Sequence, residues 1–241
     1  MRTIRAYLES ATAENQILDL PASVFQHLVK VLRLGDGAPL EIFNGHGQRF
    51  TAELCNVGKK LAQVKLRQAL IGTPESPLHT HMGIVMSKGD RFDFAIQKAT
   101  EMGVTSITPL TSERCDLRLN AERVEKKMAH WQGVIVAACE QCYRDTLPIL
   151  YPTKSLQDWT TTQDSDVQLV FHTAATEPAW PEQTPQSVSF LVGPEGGLTD
   201  DEVRFAHQND FLSWQLGPRI LRTETAPVAI LSLLQMKWGD F

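Results

Sequence analysis

Apolar and polar positions alternate in short runs over the first 72 residues. Pro39–Phe43, Arg49–Cys55 and Leu61–Leu70 read as strands, separated by turns at Asn44–Gly47 and near Gly58. Strands this short and this closely spaced predict a small β-barrel. One helical pattern interrupts them, with Val24, Leu28, Val31 and Leu32 on a shared face and Gly35 as the stop. The stretch Gly72–Pro77 carries two prolines, which cannot enter a central strand or a helix interior, and reads as a linker. Two domains are therefore expected, 1–72 and 78–241.

Beyond the linker the period changes. Met82–Met86, Ser106–Leu110, Leu169–Phe171, Val188–Val192 and Leu212–Leu216 read as strands. Between and after them, Phe92–Met102, Ala121–Tyr143, Asp201–His207 and Ala226–Trp238 read as helices. Strands alternating with helices predict an α/β fold with a parallel sheet covered on both faces. Glu177–Gln186, with three prolines, is expected to be a surface loop.

Composition narrows the class. The 241 residues are 42% hydrophobic and 21% charged, so the chain can bury a core and is neither disordered nor a disulfide scaffold. Charges break the N-terminal MRTIRAYLES before a signal-length apolar stretch, and no segment approaches the ~18 apolar residues that span a bilayer. A soluble, cytoplasmic protein without membrane contact is expected. Cys139 and Cys142 form an isolated C-x-x-C late in a helical pattern, with no second pair and no histidine pair downstream. They read as helix-face cysteines, and no metal site is expected.

The net charge of −5 speaks against a polycationic nucleic-acid binder, but it is unevenly spread. Residues 1–73 carry +3, while 145–210 carry −9. Arg2, Arg5, Lys30, Arg33 and Arg49 form a candidate basic strip on the first domain, with scattered solvated charges as the alternative.

Two loops carry chemistry. In Leu191–Glu202 a buried strand runs into Gly193-Pro-Glu-Gly-Gly197 and then a helix opened by the Thr199/Glu202 capping box. The G-x-x-G-G spacing matches no phosphate-binding motif, and Asp200, Asp201 and Glu202 fill the helix turn that a phosphate would need. Such a loop suits a neutral or cationic ligand; S-adenosylmethionine, a sulfonium without phosphate, meets that constraint. The second loop, Leu216–Ala226, places Ile220 and Leu221 between Arg219 and Arg222. That pattern suits a flat, partly apolar ligand beside an anion. Both loops leave strand ends, so a crevice between them is expected.

The strings LVGPEGG at 191–197 and LGPRILRTETA at 216–226 resemble the RsmE family of SPOUT-class methyltransferases. The likeness extends to Lys88–Arg91, Lys98–Gly103, Ser112–Arg114, Ala138–Gln141 with Arg144, and Leu234–Asp240. It implies a PUA-like N-terminal barrel that docks RNA, a C-terminal SPOUT domain with a deep trefoil knot, and a homodimer. The activity it implies is methylation of ring nitrogen N3 of a uridine in 16S rRNA of the small ribosomal subunit. Tyr143, Leu198 and Thr199 depart from the family pattern.

By position, the resemblance places the cofactor against Phe171, His172, Gly193, Pro194, Gly196, Gly197, Leu216, Gly217, Ile220, Leu221 and Thr223. Arg222 is the candidate for stabilising charge on a flipped base or its phosphate. Glu224 is the candidate to accept the N3 proton or to orient Arg222, with a plain helix N-terminal carboxylate as the alternative. Arg5, Arg33, Arg49, Lys88, Arg114 and Arg144 are candidate RNA contacts. Glu140 reads as a buried structural acid, and His172 as either pocket lining or a core histidine. A SPOUT enzyme acting on transfer RNA or ribose 2′-OH, and a noncatalytic ribosome-assembly factor, are the competing readings.

Overall fold

The computed structural model describes residues 3–115, 120–172, 181 and 183–241. Two compact units emerge, the first formed by 1–75 with 139–147 and the second by 76–138 with 148–241. A single cut at the linker therefore misassigns 139–147. That segment joins the first unit because Thr146 bridges to Gly45 and His46, and Gly47 N donates to Asp145 O at 3.1 Å.

In the first unit, β1 (Arg5–Tyr7), β2 (Ile17–Asp19), β3 (Pro39–Phe43), β4 (Arg49–Cys55) and β5 (Gln63–Leu70) pair in the order β1-β3-β4-β5-β2. All neighbours are antiparallel except β1 and β3. No pairing joins β1 to β2 among the described residues, so the small barrel takes the form of an open half-barrel. Strict alternation along β4 sends Phe50, Ala52 and Leu54 inward, where they meet Leu40, Ile42, Val64 and Leu66. The register along β4 and β5 shifts between Phe50 and Ala52, a bulge of the kind that bends a sheet.

The interrupting helix differs from its expected form. α1 (Ala22–Phe25) runs into a π-helical turn over Gln26–Val31, and Arg33 then adopts a left-handed φ of 57°. Because a π turn holds an extra residue, the apolar face drifts off register. Phe25 and Leu28 reach the core, whereas Val31 and Leu32 are turned outward, 63% and 40% exposed.

The second unit is a parallel sheet. Its strands are β6 (His79–Val85), β7 (Ser106–Thr111), β8 (Ile149–Leu150), β9 (Lys154–Ser155), β10 (Val167–Phe171), β11 (Ser187–Val192) and β12 (Leu212–Trp214). They follow the order β12-β10-β11-β6-β7-β8, with β9 also on β7, and every pairing is parallel. The central strands β7 and β11 are buried almost throughout, as a sheet covered on both faces requires. The helices are α2 (Asp90–Glu101), α3 (Ala121–Cys142), α4 (Leu156–Thr160), α5 (Asp200–Gln208) and α6 (Ala226–Trp238). The chain order reverses at β6, flanked by β7 and β11, and parallel pairing puts the C-terminal ends of β6, β10, β11 and β12 on one edge. Gly83 on β6 is required there: a Cβ would stand 2.7 Å from the Trp159 ring. Among the described residues, no helix is long and apolar enough to cross a membrane.

Candidate functional site

Three chain segments leave that edge and close around one cavity of about 550 Å³. Phe171 and His172 end β10; Gly193, Pro194, Gly196 and Gly197 follow β11; Ile220, Leu221, Arg222, Thr223 and Glu224 precede α6. Eleven of the residues singled out from the sequence as catalytic or cofactor-binding thus share one wall-to-wall space of ordinary ligand-pocket size. Leu216 and Gly217 stand outside its lining, because the loop turns at the left-handed Gly217 (φ 70°) before reaching it.

The glycine loop is tightly determined. Gly197 takes a φ of 70°, a conformation that L side chains resist, and its N–H donates to Pro194 O at 2.9 Å. Thr199 Oγ1 accepts from Glu202 N at 3.2 Å, and Glu202 Oε2 accepts from Thr199 N at 2.9 Å, so the capping box forms as its residues predict. Glu202 is buried, and its other oxygen accepts from Glu113 N at 2.9 Å. Asp201 turns to Arg204, and of the three carboxylates only Asp200 lines the cavity. Glu195 and Glu224 also line it, as do Arg91, Arg114 and Arg222, so a ligand meets carboxylates and guanidinium groups together with the loop's own amides.

His172 sits between this cavity and the sheet edge. Its N–H donates to Trp214 O at 3.2 Å, and its Nε2 lies 2.8 Å from Ser213 Oγ. Burial holds its pKa below the ordinary histidine value, aided by His207 and opposed by Asp200. A neutral imidazole lining the cavity follows. On the opposite side, Arg222 is exposed, and Glu224 Oε2 is shielded from solvent without a hydrogen-bond partner. An unpaired carboxylate oxygen beside a cavity is costly unless a donor arrives.

Other residues line the cavity outside the expected cofactor and catalytic set, Arg114 among them. Arg91 from the start of α2 pairs with Glu195 at 3.3 Å, both about half exposed, and Val203 and Ala226 complete apolar stretches of the wall. The lysine–glycine–aspartate–arginine run at 88–91 was visible in the sequence, but nothing in spacing brings it to the glycine loop.

The candidate RNA contacts divide. Arg5 is a correction: its side chain is fully buried, paired with Asp145, and donates to Cys139 O at 3.2 Å and Arg144 O at 3.3 Å. Arg144 is likewise buried, paired with Glu75. Arg49 donates to Ile71 O at 2.9 Å and lies 3.8 Å from both Glu41 and Asp145. Each of the three holds the first unit together, a role that a charge count cannot distinguish from a surface one. Arg114 is engaged at the glycine loop, its Nη1 donating to Gly196 O at 2.9 Å. Arg33 and Lys88 are exposed, as a contact with a nucleic acid requires. Arg2 lies outside the described residues, as does half of the loop 177–186.

Glu140 is structural, accepting from Tyr7 N at 3.1 Å with its pKa raised by burial. Burial pushes the Cys139 thiol up to about 12, which makes it an inert core group at neutral pH.

Comparison with known proteins matches the two units to two family models. Residues 74–235 match an RNA methyltransferase domain and residues 20–67 an RNA methyltransferase PUA domain. Fold and site together therefore define an RNA methyltransferase with an appended PUA domain. The ribosomal RNA small subunit methyltransferase E of Buchnera aphidicola is 35% identical over 99% of this chain and 98% of its own length. The crystal structure of the Neisseria gonorrhoeae ribosomal RNA small subunit methyltransferase E, bound to S-adenosylmethionine, superposes with a TM-score of 0.92 at 35% identity, covering both chains fully. A Legionella pneumophila methyltransferase, solved with the same cofactor, superposes with a TM-score of 0.96 at 39% identity, again over both whole chains. This chain belongs to the ribosomal RNA small subunit methyltransferase E family.

Proposed function

We propose that this chain methylates ring nitrogen N3 of a uridine in 16S rRNA of the small ribosomal subunit, using S-adenosylmethionine. The observation that carries the reading is the single cavity in which the glycine loop, His172 and the 220–224 segment converge. Its lining suits a zwitterionic cofactor: apolar side chains and loop amides, carboxylates at Asp200, Glu195 and Glu224, and guanidinium groups at Arg91, Arg114 and Arg222.

When bound, the cofactor supplies an activated methyl group on a sulfonium sulfur. The chain's own residues align the base and manage its proton. Phe171 and Leu221 are half-buried apolar lining, and Ile220, 84% exposed, stands at the rim. A uracil must be unstacked to reach this depth. Arg222, exposed at the rim, holds the negative charge of the N3-deprotonated ring or of its phosphate. Glu224, with one oxygen lacking a donor, takes the N3 proton.

In the same proposal the first unit docks RNA through Arg33, the rim of the second through Lys88, and the second domain carries a deep trefoil knot. The chain works as a cytoplasmic homodimer. α6 supports a dimer: Ile230, Leu231 and Leu234 face the core, while its other side is also apolar and leaves Met236 68% exposed. Pairing two chains sets two modest basic surfaces side by side, which supports RNA docking by a chain whose net charge is −5.

Calorimetric titration with S-adenosylhomocysteine tests the cofactor site, and nucleoside analysis of methylated small subunits tests the product. Binding together with N3-methyluridine is expected. No binding would mark a noncatalytic assembly factor, and a 2′-O-methyl product would move the chemistry to ribose.

A further inference from the structure

We propose that Arg114 is a positioning residue that sets the shape of the glycine loop before ligand binds, and not an RNA contact. The inference rests on the reading of the adjoining cavity as the S-adenosylmethionine site.

The geometry is specific to two peptide units. Arg114 Nη1 donates to Gly196 O at 2.9 Å and to Leu198 O at 3.4 Å. The amide of the first peptide, Gly197 N, donates to Pro194 O at 2.9 Å. That of the second, Thr199 N, donates to Glu202 Oε2 at 2.9 Å. A trans peptide is planar, with its C=O and N–H pointing opposite ways. Fixing both ends of a peptide therefore fixes its plane, and here two planes, at 196–197 and 198–199, are fixed by one guanidinium and two acceptors.

The same short segment grips the loop a second time. Glu113 N donates to Glu202 Oε1 at 2.9 Å, tying the residue before Arg114 to the first turn of α5. The arginine stem also lies against the loop, since a Cβ at Gly196 would stand 3.5 Å from Arg114 Cβ and 3.6 Å from Cδ. Without these ties Gly196 and Gly197 would hold the most conformational freedom in the cavity wall. A ligand would then have to order them at the expense of affinity.

The test compares wild type, Arg114→Ala and Arg114→Lys in the full chain. It reads S-adenosylhomocysteine affinity, separate KM values for cofactor and small subunits, and hydrogen exchange of the 193–199 amides without ligand. Loss of charged hydrogen bonds to the loop is expected to weaken cofactor binding about tenfold in Arg114→Ala. Exchange at 193–199 rises, the KM for small subunits is unchanged, and Arg114→Lys, which keeps one donor, recovers part of the affinity. Unchanged exchange and cofactor affinity, or a rise confined to the KM for subunits, would overturn the proposal and restore Arg114 to the RNA surface. Should Arg114→Ala unfold, the Lys variant carries the same exchange and affinity comparison. Wild-type protein that binds no S-adenosylhomocysteine would instead remove the cofactor reading itself, and the inference with it.

Discussion

Arg5 and Asp145, 140 residues apart in the chain, form an ion pair in which neither side chain is exposed to solvent. Arg5 also lies over the rings of Phe43 and Tyr143, 4.7 and 4.9 Å from their centroids. Asp145 Oδ2 meanwhile accepts from Thr73 N at 2.7 Å. The pair joins the Thr146 bridges and the Gly47–Asp145 hydrogen bond in tying 139–147 to the half-barrel. Removing Arg5 leaves the buried Asp145 carboxylate with the more distant Arg49 at 3.8 Å and the Thr73 amide, at a cost of up to about 3–5 kcal/mol. Arg5→Ala is expected to lower the unfolding free energy measured by urea denaturation by that amount. Weakened RNA binding at unchanged stability would return Arg5 to the RNA-contacting set.

Arg222 poses the opposite case. It is exposed, so truncation removes no buried contact and stability stays within about 0.5 kcal/mol. Loss of a donor aimed at developing negative charge typically costs about 100-fold or more in turnover. Arg222→Ala is expected to lose activity at that scale in single-turnover methylation, with an unchanged melting temperature. Equal falls in both quantities would make it a structural residue.

Glu202 joins the capping box to the segment at 113. Thr199→Ala removes one cap and is expected to cost about 1 kcal/mol. Glu202→Ala strands the N–H groups of Thr199 and Glu113 and leaves a gap at a buried position, so it is expected to cost more, about 2–4 kcal/mol. Paired chemical denaturation of the two variants checks the order. A reversed order would place the stabilisation in the threonine hydroxyl alone.

How much of this was legible in the sequence depends on the range of each interaction. The closing helix Ala226–Trp238 and strands Pro39–Phe43 and Arg49–Cys55 have the expected bounds, because their periodicity and flanking turns are local. The capping box was readable for the same reason. β1, β2, β8 and β9 were not, since two or three residues carry no period and pair only because distant strands offer an edge. The π turn after Phe25 escaped a reading built on 3.6 residues per turn. Arg5, Arg49 and Arg144 looked like surface charge because their carboxylates, Asp145, Glu41 and Glu75, are brought to them by tertiary structure. The convergence of Phe171, the glycine loop and the 220–224 segment was foreseeable from strand-to-loop order in a parallel sheet. A trefoil knot leaves no trace in periodicity, and its expectation comes from resemblance alone.

A pH dependence follows from His81. Trp159 Nε1 donates to His81 Nε2 at 3.2 Å, so the ring must stay unprotonated there to accept. Burial lowers its pKa from 6.5 to about 4, with a further lowering from Lys154 and a partial offset from Gln163. Between those values the unfolded chain binds the proton and the folded chain does not. Stability is therefore full above about pH 6.5 and falls as pH drops toward 4, by at most about 1.4 kcal/mol per pH unit and about 3 kcal/mol in all. Denaturation at successive pH values is expected to show this loss in wild type and a shallower one in His81→Gln. Identical slopes would assign the acid loss to other groups.

The central claim is that the cavity formed by His172, the glycine loop and Arg222 performs N3-methylation of a uridine in small-subunit rRNA. Incubation of the purified protein with methyl-labelled S-adenosylmethionine and unmethylated small ribosomal subunits, followed by nucleoside analysis, tests it most directly. The account predicts label in N3-methyluridine at one rRNA position, abolished by Arg222→Ala. Label absent from uracil N3, or present at that position with Arg222→Ala at the wild-type rate, would contradict it.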